Sequence, residues 1–224
     1  MDCSQILPGA VNSGPCSLAT GYYNEHPFIV YASGRDIVIL DGRLKHVQTL
    51  LGSDLGYGET PINCVDTAEL VGKIAVSWGS DVVFFYPEPL EDNQVQNNNE
   101  FPGHWILSHT IPVDYSVLSL SWNKEGKQLL VGGDALSLWS YSAEESVTSL
   151  LPPDPNSSGE GCQGVWGESW RCSLAQPAVY LSFSPDGAMF ASASQDDHFV
   201  KIWYQSKIGM YMCCVYNTYV LTGI

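Results

Sequence analysis

Residues 181–203 read LSFSPDGAMFASASQDDHFVKIW, and this stretch decides the fold. Apolar residues alternate at Val179, Leu181 and Phe183 and again at Val200 and Ile202, the period of strands with a buried face. Ser184-Pro185-Asp186-Gly187 supplies a tight turn, with Pro at its second position and Gly at its fourth. Ser194 to Asp197 reads as a second turn, where Asp196 and its neighbours bond backbone donors that a tight turn leaves unpaired. Trp203 then closes a third strand. Three short strands, two tight turns and a strand-ending Trp are the grammar of a β-propeller blade.

The same grammar recurs upstream. Val117 to Trp139 reads VLSLSWNKEGKQLLVGGDALSLW, with a first strand ending at Trp122, a turn at Asn123-Lys124-Glu125-Gly126, a second strand from Gln128 to Val131 and a third closing on Trp139. Trp139 falls where Trp203 falls. A weaker copy runs through Ile62 to Asp66, a turn near Leu70 to Gly72, Lys73 to Ser77 and Val82 to Tyr86. A partial copy begins at Phe28 to Ala32, turns at Ser33-Gly34-Arg35-Asp36 and continues through Ile37 to Leu40. The spacing of the third strands exceeds the about 40 to 45 residues of a WD repeat. Insertions at 87–104 and 142–165, rich in Pro, Gly, Asn, Ser and acids, account for the surplus. Outer strands are expected at His46 to Leu51, Trp105 to Ile111 and Val165 to Leu174.

These copies predict an all-β chain of WD-repeat propeller blades near 28–51, 62–111, 117–174 and 179–204. A lone four-stranded sheet cannot cover both of its apolar faces, so blades must stack, with Trp122, Trp139, Phe183 and Trp203 filling the gaps. Propellers commonly have about four to eight blades, and three to four are present here. The expectation is therefore a small ring or, in preference, an incomplete propeller over 1–204, which is poorly soluble or self-associates when isolated. The segment 205–224 shows no further blade and reads as a divergent tail. Ile208 to Ile224 carries no charge, which raises a membrane-span reading, but Gly209, Asn217, Thr218 and Gly223 weigh against insertion.

Composition narrows the function. Nine Lys and Arg against 24 Asp and Glu give a formal charge of −15 over 224 residues. Scattered bases and a strong negative balance repel phosphate backbones and anionic lipid surfaces, so neither nucleic acid nor membrane is expected as the main partner. Seven Cys without a C-x-x-C pair suggest reduced thiols in a cytoplasmic protein. The start Met1-Asp2-Cys3-Ser4 has neither the basic nor the apolar segment of a secretory signal.

Candidate sites reduce to structural positions. Asp196, Asp197 and His198 resemble an acid–base or metal cluster but occupy the turn before the third strand, where the repeat itself requires polar residues. Gly103-His104 resembles a Gly-His repeat dipeptide, at an unusual distance from Val117. Gly52, Gly56 and Gly58 lack the order of a phosphate-binding loop and read as a bend between blades. A propeller hydrolase would need titratable residues on its innermost strands, whereas Val117 to Trp122 and Val179 to Phe183 carry Ser and apolar residues. No catalytic, cofactor-binding or metal-ligating residue is therefore assigned. Trp122, Trp139, Asp186, Gly187, Asp196 and Trp203 are the positions the repeat singles out. The second insertion, with Glu144, Glu145, Asp154, Ser157, Ser158 and Glu160 around Pro152-Pro153-Asp154-Pro155, reads as an exposed, extended segment that a partner domain can bind.

One further feature is not dictated by blade physics. MDCSQILPGAVNSG and PFIVYASGRDIVIL, with Leu138-Trp139, Ser184-Pro185-Asp186-Gly187 and Lys201-Ile202-Trp203, resemble the N-terminal region of the DmX-like family, also called rabconnectins. The resemblance runs from Met1 to Tyr204 and implies a fragment or short isoform of a long WD-repeat scaffold. It implies a non-enzymatic role without a cofactor, in assembly and regulation of the vacuolar proton-pumping ATPase (V-ATPase) and hence vesicle acidification. The implied partners are V-ATPase subunits and Rab-regulating proteins, and the implied place is the cytoplasmic surface of endosomal or synaptic vesicles. The alternatives are a generic WD-repeat adaptor and a truncated form without function.

Overall fold

The computed structural model describes residues 8–90, 101–142, 164–195, 199–205 and 211–217. Its elements are β-strands, grouped into four sheets of four antiparallel strands in chain order. The first sheet comprises β1 (Leu18–Tyr23), β2 (His26–Ser33), β3 (Asp36–Asp41) and β4 (His46–Leu50). The second comprises β5 (Ile62–Ala68), β6 (Lys73–Trp78), β7 (Asp81–Pro89) and β8 (Gly103–Pro112). The third comprises β9 (Val117–Trp122), β10 (Gln128–Gly133), β11 (Ala135–Ser142) and β12 (Val165–Ser173). The fourth comprises β13 (Tyr180–Phe183), β14 (Met189–Ala193), β15 (Phe199–Gln205) and β16 (Tyr211–Asn217).

The first strand of each sheet lies innermost, with β1 against β5, β5 against β9 and β9 against β13. The sheets thus stack as consecutive blades of an incomplete WD-repeat propeller. Apolar side chains that alternate along each strand fill the gaps between blades. Between the first and second, Val30, Ile37 and Ile39 meet Ile74, Val76 and Phe85 in one cluster. Between the second and third, Phe84 meets Trp122 and Trp166, with ring centroids 5.3 and 4.8 Å away. Between the third and fourth, Leu130, Leu136 and Leu138 pack with Phe190 and Trp203.

Register aligns the repeats. Leu129 pairs with Trp122 on one side and Trp139 on the other, and Phe190 pairs with Phe183 and Trp203 in the same way. Trp139 and Trp203 therefore occupy one position of the repeat. Their indole N–H groups donate to serines, at 3.0 Å to Ser137 Oγ and 2.9 Å to Ser192 Oγ. Trp122 and Trp203 are buried, whereas Trp139 is half-buried. The SPDG turn closes through Gly187 N–H to the Ser184 carbonyl at 2.8 Å. Asp186 accepts from Ser184 Oγ at 2.6 Å and Ala188 N–H at 3.1 Å, and these bonds hold its carboxyl below the usual range. Gly187 has φ of +70°, and Gly126 at the matching place in the third sheet has +65°. Asp196 and its neighbours Asp197 and His198 lie outside the described residues, as do 143–163 of the second insertion.

Two strands depart from the sequence reading. The first sheet begins at Leu18, not Phe28: LATGYY forms β1, whose Leu18, Thr20 and Tyr22 are exposed, so it lacks the apolar alternation that marks β2 and β3. The segment read as a divergent tail also contributes, because Tyr211–Asn217 pairs with β15 along its whole length as the outer strand of the fourth sheet. The first three sheets each carry a register shift between third and fourth strands, at Ile39/Leu40, Phe84/Phe85 and Leu138/Trp139. The β15–β16 register runs without that shift. Such a bulge adds local twist, so β16 completes its sheet with a plainer ribbon than its counterparts.

Candidate interaction site at the centre of the arc

The inner strands converge on an open cavity of about 650 Å³. Its walls come from the N-terminal ends of three of them, through Ile62, Asn63, Leu118 and Tyr180, and from Gln195 beyond β14. The segment from Asn12 to Pro15 forms one side. That segment is held by backbone and side chain together. Asn12 N–H donates to the Ala32 carbonyl at 2.9 Å, Val65 N–H donates to the Cys16 carbonyl at 2.7 Å and Ala32 N–H donates to the Ser17 carbonyl at 2.9 Å. Asn12 Nδ2 donates to the carbonyls of Gly34 at 2.8 Å and Ile62 at 3.1 Å, while its Oδ1 accepts from Gly34 N–H. One side chain thereby ties the β2–β3 turn to the start of β5.

Side-chain-to-backbone bonds fasten each neighbouring pair of inner strands. Thr67 Oγ1 donates to the Thr20 carbonyl at 2.5 Å, joining β5 to β1. Asn63 Nδ2 donates to the Val117 carbonyl at 3.0 Å, and Asp66 Oδ2 accepts from Trp122 N–H at 2.7 Å, joining β5 to β9. Ser119 Oγ donates to the Ala178 carbonyl at 2.8 Å, and Ser121 Oγ accepts from Phe183 N–H at 3.3 Å, joining β9 to the fourth sheet. Inner strands of neighbouring blades do not share a full hydrogen-bonded ladder, so short polar side chains satisfy backbone groups there that water would otherwise have to reach.

Asp66 is the one carboxylate on the four inner strands. Part of the residue remains exposed, but its carboxyl is enclosed, and burial raises it to about 7 against the opposing backbone bonds from Trp122 and Thr67. Burial likewise pushes up the thiols of Cys16 and Cys64, each further raised by the charge of Asp66. A thiol held in its protonated form is a poor nucleophile. Cys64 Sγ instead sits 3.1 Å from Ser77 Oγ, and Cys16 Sγ approaches the Val179 carbonyl at 3.9 Å. The cavity lining, through Asn12, Ser13, Asn63, Tyr180, Gln195 and Leu118, presents amides, hydroxyls and apolar edges suited to holding an extended polypeptide.

The structure places the remaining candidates in ordinary positions. Gly103 and His104 open β8, paired with Pro89 and Glu88. Gly56 and Gly58, with φ of +86° and +55°, turn the chain between the first and second sheets. Among the described residues no group of three or more His, Cys, Asp or Glu is placed to hold a metal ion. No helix of the described residues is long and apolar enough to cross a membrane. Sequence reasoning missed Asn12, Asn63, Asp66, Ser119 and Ser121. The alternation of Ser119 and Ser121 within VLSLSW was the one visible signal, since polar residues at period two mark a single face of the strand.

Fold and repeat register together define a WD-repeat protein of the β-propeller class. Residues 172–204 match the family model described as WD domain, G-beta repeat. Over 204 residues, 91% of its length, the chain is 35% identical to DmX-like protein 1 of Mus musculus, and it is 34% identical over 207 residues to the Homo sapiens protein of that name. The chain belongs to the DmX-like family as a WD-repeat region. It spans 6% of the length of those relatives. It is also 23% identical over 203 residues to Regulator of V-ATPase in vacuolar membrane protein 1 of Saccharomyces cerevisiae, of which it spans 13%. Among solved structures, it is similar to a chain in the crystal structure of Chaetomium thermophilum polycomb repressive complex 2, with a TM-score of 0.54, 17% identity and coverage of 84% of this chain and 36% of that one. At that identity the likeness is one of fold.

Proposed function

We propose that this chain is a non-enzymatic protein-binding scaffold that helps regulate the assembly of the vacuolar proton-pumping ATPase. The observation that carries this reading is similarity along 91% of the chain both to DmX-like protein 1 and to a yeast protein named as a regulator of that pump. The central cavity supports the binding role: it is open, about 650 Å³ in volume and lined by amide, hydroxyl and apolar groups. Partners in this reading are pump subunits and proteins that regulate Rab GTPases, met at the cytoplasmic surface of vesicles. With a net charge of −15, the chain would reach an anionic vesicle surface through those partners and not through the lipid.

Affinity capture with this chain and with DmX-like protein 1, side by side, tests the proposal. Recovery of pump subunits by both, lost when Leu118→Arg places a charge in the cavity wall, supports it. Recovery by DmX-like protein 1 alone sinks it for this chain.

A further inference from the structure

A second cavity, of about 430 Å³, lies at the rim between the first two blades and shares no residue with the central one. Both neighbouring sheets have their four strands, so its walls do not depend on any further sheet. One wall is the β3–β4 turn and the start of β4, with Asp41, Lys45 and His46; the other flanks β7 and β8, with Phe101 and His104. Gln48 joins the walls, its Nε2 donating to the Trp105 carbonyl at 3.0 Å and its Oε1 accepting Trp105 N–H at 2.8 Å. The volume falls in the range of sites for small organic groups, roughly 300 to 1,000 Å³.

The polar groups of the lining that remain unspent are mainly donors. Lys45 forms no ion pair with a described carboxylate. The Nδ1 of His104 is enclosed and without a partner. A lone pair is tolerated better than an N–H in such a place, orphaned buried N–H groups being the rarer kind. The His104 proton therefore belongs on Nε2, the accessible ring nitrogen, where it is a donor. The one carboxylate of the lining is turned to its own loop, since Asp41 Oδ1 accepts the N–H groups of Arg43 and Lys45 at 2.9 and 2.7 Å.

An ammonium and an imidazole N–H at the mouth of one cavity suit an oxyanion. Val47, Leu90 and Phe101 supply apolar lining beside them, so the complement is an oxyanion carried on an apolar body and not a bare ion. The net charge of −15 opposes this mainly at long range, because salt at about 0.15 M screens exposed charges beyond ~8 Å. Within the cavity the nearest ammonium sets the sign.

We propose that this rim cavity binds an organic carboxylate or phosphate, with Lys45 and His104 Nε2–H as donors to its oxygens. Titration of the full chain with benzoate and with phenyl phosphate, followed through the ring nitrogens of His104 and the amide of Gly103 by NMR, tests it. The expected result is a saturable shift at those positions. Lys45 is exposed, so Lys45→Met leaves the fold intact and should weaken binding about tenfold. Asp41→Asn keeps an acceptor for the turn amides while removing a charge, and should tighten binding about twofold. Lys124→Met, at an exposed lysine of the third sheet, should change nothing. Tighter binding of a phosphotyrosine peptide than of phenyl phosphate would name a partner's modified side chain as the source, and equal binding a free small acid; both support the site. The absence of a saturable shift, or binding of methylguanidinium that Lys45→Met strengthens and Asp41→Asn weakens, would overturn the proposal.

Discussion

The carboxyl of Asp66 accepts the backbone N–H of Trp122 at 2.7 Å, joining the inner strands of two neighbouring blades. The bond falls where one blade must hold the next without a continuous ladder. It also places an ionisable group in an enclosed site, and the stability of the arc acquires a pH dependence from it.

Burial raises Asp66 from an ordinary 3.8 to about 7, so the folded chain holds this proton more tightly than the unfolded chain. The associated stability is full below about pH 4 and declines as pH rises toward 7, the reverse of a salt-bridged carboxylate. Asp66→Asn keeps an acceptor for Trp122 and removes the titration. Urea unfolding should then show a flatter profile between pH 4 and 7 and a gain on the order of 2 kcal/mol at pH 8, reduced from the ~4 kcal/mol of a fully buried group by partial exposure. An unchanged slope would remove Asp66 as its source.

Asn12 makes three side-chain hydrogen bonds across the gap between the first two blades. Asn12→Ala removes the acceptor of Gly34 N–H and a donor to the Ile62 carbonyl, while the Gly34 carbonyl keeps the Ile62 N–H, and should cost about 1 to 2 kcal/mol. Asn12→Asp retains the acceptor for Gly34 N–H but faces two carbonyls with a charge, and should be no more stable than the alanine variant. Thermal melts of the three proteins at matched concentration compare them.

Trp203 fills the gap between the last two blades, 5.2 Å from Trp170 and stacked on Phe190 at 6.0 Å. Its truncation to Ala should cost about 3 to 5 kcal/mol. Ser192→Ala, which strips only the partner of its indole N–H, should cost about 1 kcal/mol. Hydrogen exchange should show the loss first in β13–β15, with β2 and β3 still protected, because Trp203 packs in the cluster between the third and fourth sheets and not in the one that holds β2 and β3.

Gly187 and Gly126 share a left-handed backbone but differ in surroundings. A Cβ at Gly187 meets open space, whereas one at Gly126 lies 2.6 Å from Val71 Cγ2 and 3.1 Å from Ala68 Cβ. Gly187→Ala should cost about 1 to 2 kcal/mol from the backbone alone, and Gly126→Ala measurably more, since the second blade must also shift. Equal denaturation midpoints would show that the turn, and not the contact between blades, sets the cost.

The sequence by itself determined the blade. Alternating apolar residues, the SPDG turn and the Trp that ends a third strand are local, and two residues at period two on a pleated ribbon share a face whatever surrounds them. Trp139 and Trp203 were therefore recognisable as one position from spacing alone. The tertiary structure decided what local pattern cannot carry. β1 shows no alternation because its outward side chains remain exposed, and β16 is recognisable as a strand only through its pairing with β15. Asn12, Asp66 and Ser121 looked like ordinary polar residues until folding set them against backbone groups of another blade, far away in the chain. Such bonds depend on how blades stack, and stacking is settled by long-range packing of apolar faces.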